Sequence, residues 1–217
     1  MADDTRTLAD LRLQLAPELA RSAAFDGWSD EALAQAAAMA GLDPAVARLA
    51  FPGGAMDMID AWIASIDDAM QRHFAGDLLA GMKVRDRITA LITFRIDSVA
   101  GMEESLRRAW AVQSLPQNLL RTTKISWRSA DAMWRLAGDV ATDYNHYTKR
   151  ATLAGIYTAT LAVFMGDDSD GKAETRAFLA RRIEGIMQFE KAKARLLQPR
   201  EHFDMARFLG RLRYPAR

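Results

Sequence analysis

Apolar residues recur along this chain at the spacing of α-helices. In the segment 7–21 they form one stripe, made of Leu8, Leu11, Leu15 and Leu19. Short β-branched runs such as residues 88–96 lie inside longer segments that keep the same helical spacing. Ala, Leu, Arg and Glu, which are good helix formers, dominate the sequence. These patterns predict an all-α protein with about ten helices.

Capping and turn residues set the predicted helix boundaries. Ser29 suits the N-cap of a helix over 30–40, and Pro44 suits the first position of the next helix. That third helix ends before the Pro52-Gly53-Gly54 turn. Longer helices are predicted over 55–79, 83–99, 103–114, 116–138, 146–165 and 172–197, and the tail, 200–217, is predicted to form one more short helix.

The segment 151–166 contains sixteen residues without a charge. A helix of that composition is apolar all round, so none of its faces favours water. It is too short to span a bilayer, which takes about 20 apolar residues. We therefore expect this helix to be buried in a core or pressed against a partner.

The first three predicted helices are short and separated by glycine-containing turns, which is the pattern of a helix-turn-helix. We predict three parts: a helix-turn-helix-like three-helix unit at 1–53, a larger helical body at 54–198 and an amphipathic tail at 199–217. This plan resembles the TetR-like fold. The resemblance implies that the body supplies both a ligand cavity and a dimer surface.

Charge argues against nucleic-acid binding by the first unit. Residues 1–51 hold four arginines and eight carboxylates, a balance of −4, in a chain whose net charge is +1. Non-specific DNA affinity comes mostly from neutralising phosphates. The would-be recognition helix, 43–51, offers only Arg48 for a base or phosphate. We therefore expect no nucleic-acid partner and a packing role for this unit.

No residue pattern predicts catalysis or metal binding. The chain has no cysteine, and its three histidines, His73, His146 and His202, lack the spacing of a helical metal site. The acidic turn at 167–171 lacks the glutamate that would close a calcium loop. No nucleotide-binding or nucleophile motif is present. We predict that the protein is not an enzyme and has no metal or other cofactor.

The beginning of the chain resembles neither a secretory signal nor a transit peptide, because acids lie in its first turn and no apolar core run follows. We expect a cytoplasmic protein, or a mature form whose presequence has been removed.

Residues 115–197 resemble the coenzyme Q biosynthesis protein nine family. The strings that carry the resemblance are LPQN at 115–118, SADAMW at 129–134, AGD at 137–139 and TDYNHYTKR at 142–150, extended by LAGIY at 153–157 and FLARR at 178–182. The first half matches in helical layout and in the corner at 51–54. His146 stands where animal members usually have tryptophan.

The resemblance implies a function without catalysis. Members of the family have a TetR-like fold, are homodimers and bind an isoprenoid or a phospholipid rather than DNA. They assist the di-iron demethoxyubiquinone hydroxylase of ubiquinone synthesis. The hypothesis is therefore a lipid-binding accessory protein that takes a quinone precursor from the membrane and presents it to that hydroxylase. The alternative is a TetR-type regulator that senses a small apolar ligand.

Three sets of residues are candidates for these contacts. The lipid set, whose members would also suit an ordinary core, is Ile92, Ile96, Trp110, Ile125, Trp127, Trp134, Leu153, Ile156, Tyr157, Thr160, Leu161 and Phe164. The partner set around the Gly-Asp break is Trp134, Asp139, Asp143, Asn145, His146, Tyr147 and Arg150. The membrane set is Met205, Arg207, Phe208, Leu209, Arg211 and Leu212, on a tail that would otherwise be a frayed C-terminus.

If the tail does lie on a membrane, we expect peripheral membrane association, on the matrix face of the mitochondrial inner membrane if the protein is eukaryotic.

Overall fold

A computed structural model describes residues 7–140 and 144–197, and within these ranges the regular structure is entirely helical. The helices are α1 Leu8–Asp26, α2 Asp30–Met39, α3 Pro44–Ala50, α4 Ala55–His73, α5 Val84–Asp97, α6 Glu103–Gln113, α7 Leu119–Leu136, α8 Tyr144–Phe164 and α9 Ala173–Leu197. Short 3-10 turns at Pro116–Asn118 and Asp170–Lys172 precede α7 and α9. The prediction of an all-α protein is confirmed.

Three boundaries differ clearly from the predicted ones. α1 continues to Asp26, beyond the predicted end at Arg21, and Gly27 with a φ of 71° follows it. α4 ends at His73 instead of Leu79, because a chain of turns follows in which Gly76 adopts a φ of 90°. The predicted helix extended to Leu79 because this residue continues the apolar pattern. Leu79 is indeed buried, but it lies in a turn and not in the helix. α7 starts at Leu119 because Pro116 opens a separate 3-10 turn. The predicted tail helix and its membrane set lie outside the described residues.

The chain forms two compact units, Met1–Ala180 and Arg181–Arg217, so the division falls inside α9. In the first unit α1 packs mainly along α4 and α2, and α7 packs on α8. The three-part division at 53 and 198 stays a prediction.

Two polar contacts anchor the first helices to α6. Trp28 Nε1 donates to the Ser105 carbonyl at 3.1 Å, and the Ser105 hydroxyl donates to the Ala20 carbonyl at 2.6 Å. All of these groups are buried, so the hydrogen bonds satisfy polar atoms that water cannot reach. The Trp28 ring also contacts Trp62 of α4, with ring centroids 5.3 Å apart.

The uncharged part of α8, which begins at Ala151, has one buried and one open face in the single chain. Leu153, Thr160 and Phe164 are buried. The opposite stripe is exposed and consists of small residues: Ala151, Thr152, Gly155, Thr158 and Ala162. Packing within one subunit therefore buries only one side of this helix and leaves the other side exposed.

Asp167 holds the turn between α8 and α9. Its Oδ2 accepts hydrogen bonds from the Thr175 backbone N–H at 2.8 Å and from the Thr175 hydroxyl at 2.6 Å. Its Oδ1 accepts from the Ser169 N–H at 2.9 Å and from the Ser169 hydroxyl. These hydrogen bonds, those of the Ser169 and Thr175 hydroxyls above all, hold the pKa of Asp167 well below its usual range.

We expect Asp167→Asn to lower stability most at neutral pH. A carboxylate with a depressed folded-state pKa stabilises the native state above its unfolded pKa, about 3.9, and this contribution is lost as pH falls below that value. The urea midpoint of the variant should therefore lie below that of the wild type at pH 7, and the gap should narrow toward pH 3. Asp168→Asn, at the exposed neighbour, should change little. A gap independent of pH would contradict this account.

Candidate functional site

A cavity of about 180 Å³ lies among α4, α5, α6, α7 and α8. Most of its wall is apolar or aromatic, with a few hydroxyl groups and one charged side chain. The lining residues are Trp62, Ile63, Ile66, Arg95, Val99, Leu106, Ala109, Trp110, Gln113, Ser114, Leu119, Thr122, Ile125, Ser126, Ser129, Tyr157, Thr158 and Leu161. Small-molecule sites typically have this composition, with apolar surface that supplies affinity and a few polar groups that set orientation.

Arg95 is the charged residue of this wall, and it is almost fully buried, with 1% of its surface exposed. Its Nη1 pairs with Asp67, and its Nη2 donates to the Ser129 hydroxyl at 3.3 Å. The Ser129 hydroxyl in turn donates to Asp67 Oδ2 at 3.1 Å. The guanidinium carbon lies 4.8 Å from the centre of the Tyr157 ring. Arg95 Nε has no hydrogen-bond partner among the described residues.

Burial alone would lower the pKa of Arg95, but the neighbouring Tyr157 oxygen and Asp67 carboxylate outweigh it and raise that pKa. The guanidinium therefore keeps its charge inside the protein, as the high intrinsic pKa of arginine also requires.

A ladder of ion pairs leads from the surface to Arg95. Asp57, Asp60 and Asp67 on α4 face Arg121 and Arg128 on α7. Arg121 bridges Asp57 and Asp60, and Arg128 lies 2.6 Å from Asp60 and 3.5 Å from Asp67. Arg12 of α1 closes the outer end with a 3.2 Å contact to Asp57. The ladder thus joins four guanidinium groups to three carboxylates, and its inner end is Arg95.

The predicted lipid set separates into three groups in the structure. Trp110, Ile125, Tyr157 and Leu161 line the cavity. Ile92, Ile96, Leu153, Ile156, Thr160 and Phe164 are buried but do not line it. Trp127 and Trp134 belong to the contact between α7 and α8, where Trp134 Nε1 donates to the Lys149 carbonyl at 3.0 Å.

Sequence reasoning missed Arg95, Asp67 and Ser129. A signal was present, because Arg95 falls on the apolar stripe of its helix, between Ile92 and Ile96. A charged residue on such a stripe must be buried, and a buried charge needs a partner. The sequence did not indicate which helix would supply that partner.

The partner set falls into an internal ionic cluster and an external aromatic one. Arg150, with 2% of its side chain exposed, pairs with Asp131 at 2.6 Å and Asp139 at 3.0 Å. Lys149 reaches the other oxygen of Asp139 at 2.7 Å, and its ammonium group lies 5.3 Å from the Trp134 ring. This ionic cluster holds α8 against the end of α7.

The aromatic cluster comprises Trp127, His146 and Tyr147. The Tyr147 ring lies 6.0 Å from Trp127 and 5.1 Å from His146, and Tyr147 is 62% exposed. Asn145 is the second residue of α8, and Asp143 lies outside the described residues. Tyr147 is therefore the exposed aromatic of the predicted partner surface.

Residues 120–190 match the COQ9 family model. This part of the chain belongs to the COQ9 family. The match covers most of α7, all of α8 and much of α9. The COQ9 segment therefore supplies Ser129, Tyr157 and Arg150, whereas Asp67 and Arg95 come from the preceding half. The predicted family resemblance is confirmed.

Curated COQ9 proteins extend the similarity over 74% of the chain. The ubiquinone biosynthesis protein COQ9, mitochondrial, of Rattus norvegicus is 30% identical over 167 residues, and the alignment covers 54% of that protein. The Homo sapiens protein of the same name is 29% identical over 172 residues, with 52% of it covered. The chain thus spans about half the length of the curated relatives it matches.

The fold is that of TetR regulators. The crystal structure of a TetR transcriptional regulator from Nitrosomonas europaea superposes with a TM-score of 0.64 and 22% identity, covering 80% of this chain and 96% of the regulator. The predicted TetR-like fold is confirmed. Within 7–140 and 144–197, none of the helices combines the length and apolar composition that crossing a membrane requires.

We expect Arg150→Met to destabilise the protein by about 3–5 kcal/mol, because two carboxylates would lose their shared buried partner. Urea unfolding followed by tryptophan fluorescence measures the change. Arg135→Ala is the matched control, since Arg135 also pairs with Asp131 but is 74% exposed; its cost should be about 0–1 kcal/mol. Equal costs for the two variants would show that burial does not govern this cluster.

Proposed function

We propose that this protein is a lipid-binding accessory protein of ubiquinone biosynthesis. In this proposal it binds an isoprenoid quinone precursor or a phospholipid and presents substrate to the demethoxyubiquinone hydroxylase. The names of its relatives assign them to ubiquinone biosynthesis. The observation that carries lipid binding is the apolar cavity, to whose wall α7 and α8 of the COQ9 segment contribute beside α4, α5 and α6.

The protein would act by binding and not by catalysis. Among the described residues, no group of three or more His, Asp or Glu is arranged to hold a metal ion. The polar groups at the cavity are Arg95, several hydroxyls and the amide of Gln113, which can orient a ligand through hydrogen bonds. The reaction itself would then belong to the partner enzyme.

The open stripe of α8 supports a homodimer. Its residues are small and uncharged, so two helices can approach closely and bury this face. The TetR-like fold agrees with this arrangement, since its body supplies the dimer surface. Peripheral membrane contact through the tail at 199–217 is proposed from its sequence alone.

A TetR-type regulator remains the second hypothesis, and the fold favours it. The small number of basic residues in α3 argues against DNA binding. In the described part of the first unit, Arg48 is the one basic residue of α3, and it lies 3.8 Å from Asp30. A helix with so little positive charge has little to offer phosphates.

Filling the cavity tests lipid binding. We expect Ser126→Phe to leave the fold intact and to reduce co-purified lipid about tenfold, because a ring would occupy the space that a ligand needs. Mass spectrometry of lipids extracted from purified protein provides the measurement. Thr123→Phe is the control, since Thr123 lies on the same helix but is exposed and outside the cavity lining. Unchanged lipid in Ser126→Phe, or no lipid in the wild type, would contradict the proposal.

Truncating the exposed aromatic tests partner docking. We expect Tyr147→Ala to weaken hydroxylase binding at least about fivefold, because exposed aromatics often dominate interface energies. Pull-down with purified hydroxylase measures binding, and light scattering should report an unchanged dimer. Phe25→Ala removes an exposed aromatic of α1 and should leave binding intact. Full hydroxylase binding by Tyr147→Ala would contradict docking through this surface. A monomeric wild type in light scattering would contradict the proposed homodimer.

A further inference from the structure

The cavity is too small to enclose a whole polyprenyl ligand. Its volume is about 180 Å³, whereas small-molecule sites usually have about 300–1,000 Å³. An engineered apolar cavity of about 150 Å³ in another protein binds benzene, so the present one has room for a short piece of an isoprenoid chain. The rest of a longer chain therefore needs a second apolar surface.

A groove of about 470 Å³ shares part of its wall with the cavity, and it lies against α1, α4 and the turn after α5. Trp62 and Ile66, one helical turn apart on α4, line both spaces, and they are only 3% and 7% exposed. The turn after α5 repeats this arrangement with neighbouring residues, since Ser98 lines the groove and Val99 lines the cavity. One layer of side chains thus separates the groove from the cavity.

Most polar side chains of the groove already have partners within the protein. Asp68 pairs with Arg72 at 2.5 Å, and Asp10 belongs to the capping box of α1. The Ser65 and Ser98 hydroxyls each donate to a backbone carbonyl at 2.7 Å. A charged ligand would compete with these contacts, whereas a hydrocarbon chain leaves them intact.

The other lining residues of the groove are apolar, and they belong to the same three parts of the chain. They are Leu13, Pro17, Trp62, Ile66, Ala69 and Met102. A hydrocarbon chain laid against them removes apolar surface of both ligand and protein from water. The chemistry of the groove therefore suits the same class of ligand as the cavity.

We infer that the groove between α1 and α4 holds the distal part of an isoprenoid chain whose other end occupies the cavity. This inference rests on the proposed function, which supplies the ligand class. The chain crosses the layer formed by Trp62 and Ile66, and a change of rotamer at Ile66 connects the two spaces. Cavity and groove together have the volume usual for a small-molecule site. Helix α1, which precedes the COQ9 segment, then binds ligand in addition to its packing role.

The exposed leucines at the corner between α6 and α7 offer a competing path for the chain. Leu115, Leu119 and Leu120 are 44%, 51% and 82% exposed. Leu119 lines the cavity, whereas Leu115 and Leu120 lie outside its lining. These side chains would cover a ligand on one side, but the groove has walls from both α1 and α4. The groove therefore removes more of the chain from water.

Two isoprenoid alcohols that differ by one prenyl unit test the groove. We expect farnesol to bind the wild type about tenfold more tightly than geraniol in calorimetry, because its additional unit is buried in the groove. In Ala69→Phe a ring fills the groove, so geraniol should bind as before and the gain should fall to about twofold or less. Gln71→Phe places the same ring at an exposed position of α4 outside both linings, and should retain the gain.

Leu120→Ser distinguishes the groove from the corner between α6 and α7. This variant should also retain the gain from geraniol to farnesol, since its leucine lies outside both linings. A gain that survives in Ala69→Phe, or one that is lost in Leu120→Ser, would overturn the inference.

A measurement on the wild type does not depend on the folding of variants. Met102 lines the groove and not the cavity, and Ile125 lines the cavity and not the groove. In protein labelled with ¹³C at its methionine and isoleucine methyl groups, farnesol should shift both resonances over the same range of ligand concentration. A shift of Ile125 without Met102, or of Met102 without Ile125, would contradict a chain that spans the two spaces.

The same titrations separate this inference from the proposed function. If geraniol and farnesol bind equally well and shift Ile125 alone, the cavity takes an isoprenoid and the groove does not: the inference fails while lipid binding stands. If neither alcohol binds and no lipid co-purifies with the wild type, the proposed function fails, and the inference fails with it.

Discussion

The pairing of Asp67 with Arg95 is the interaction on which the rest of the body depends. Two charges lie where apolar residues would ordinarily pack, and each requires the other to remain there. Asp67 belongs to α4 and Arg95 to α5, while Ser129 of α7 completes the hydrogen bonding. Three helices are thus oriented around one charge pair, and the cavity lies beside it. The polar character of the cavity follows from a structural requirement of the core.

The same logic governs the other end of α7. Arg150 joins Asp131 and Asp139, so the end of α7 and the start of α8 are linked by buried charges. Beside this internally paired cluster, Tyr147 is an exposed aromatic, and the proposed function assigns it to a partner. Both the cavity lining and the aromatic cluster include residues of α7 and α8, so the two proposed contacts involve the same pair of helices.

Local patterns predicted the helices well, because capping and periodicity act over a few residues. Ser29 and Pro44 placed the starts of α2 and α3 correctly, whereas α1 continues to Asp26, beyond its predicted end at Arg21. The end of α4 was wrong because apolar residues such as Leu79 can be buried from a turn as well as from a helix. The lining of the cavity was harder to predict than the helices. The predicted lipid set included Trp110, Tyr157 and Leu161, but it did not include Arg95. The partners of Arg95, namely Asp67 and Ser129, lie on helices that are distant in sequence. A pattern within one helix cannot identify such partners.

The alternation of charge between α4 and α7 has a mechanical consequence. Asp57, Asp60 and Asp67 match Arg121 and Arg128 in one register only. Sliding α7 by a helical turn, about 5.4 Å, would separate Arg121 and Arg128 from these carboxylates and would leave the buried Asp67 with Arg95 as its remaining arginine partner. The ion pairs therefore oppose sliding of α7 along α4 and fix the relative position of the two helices along their axes.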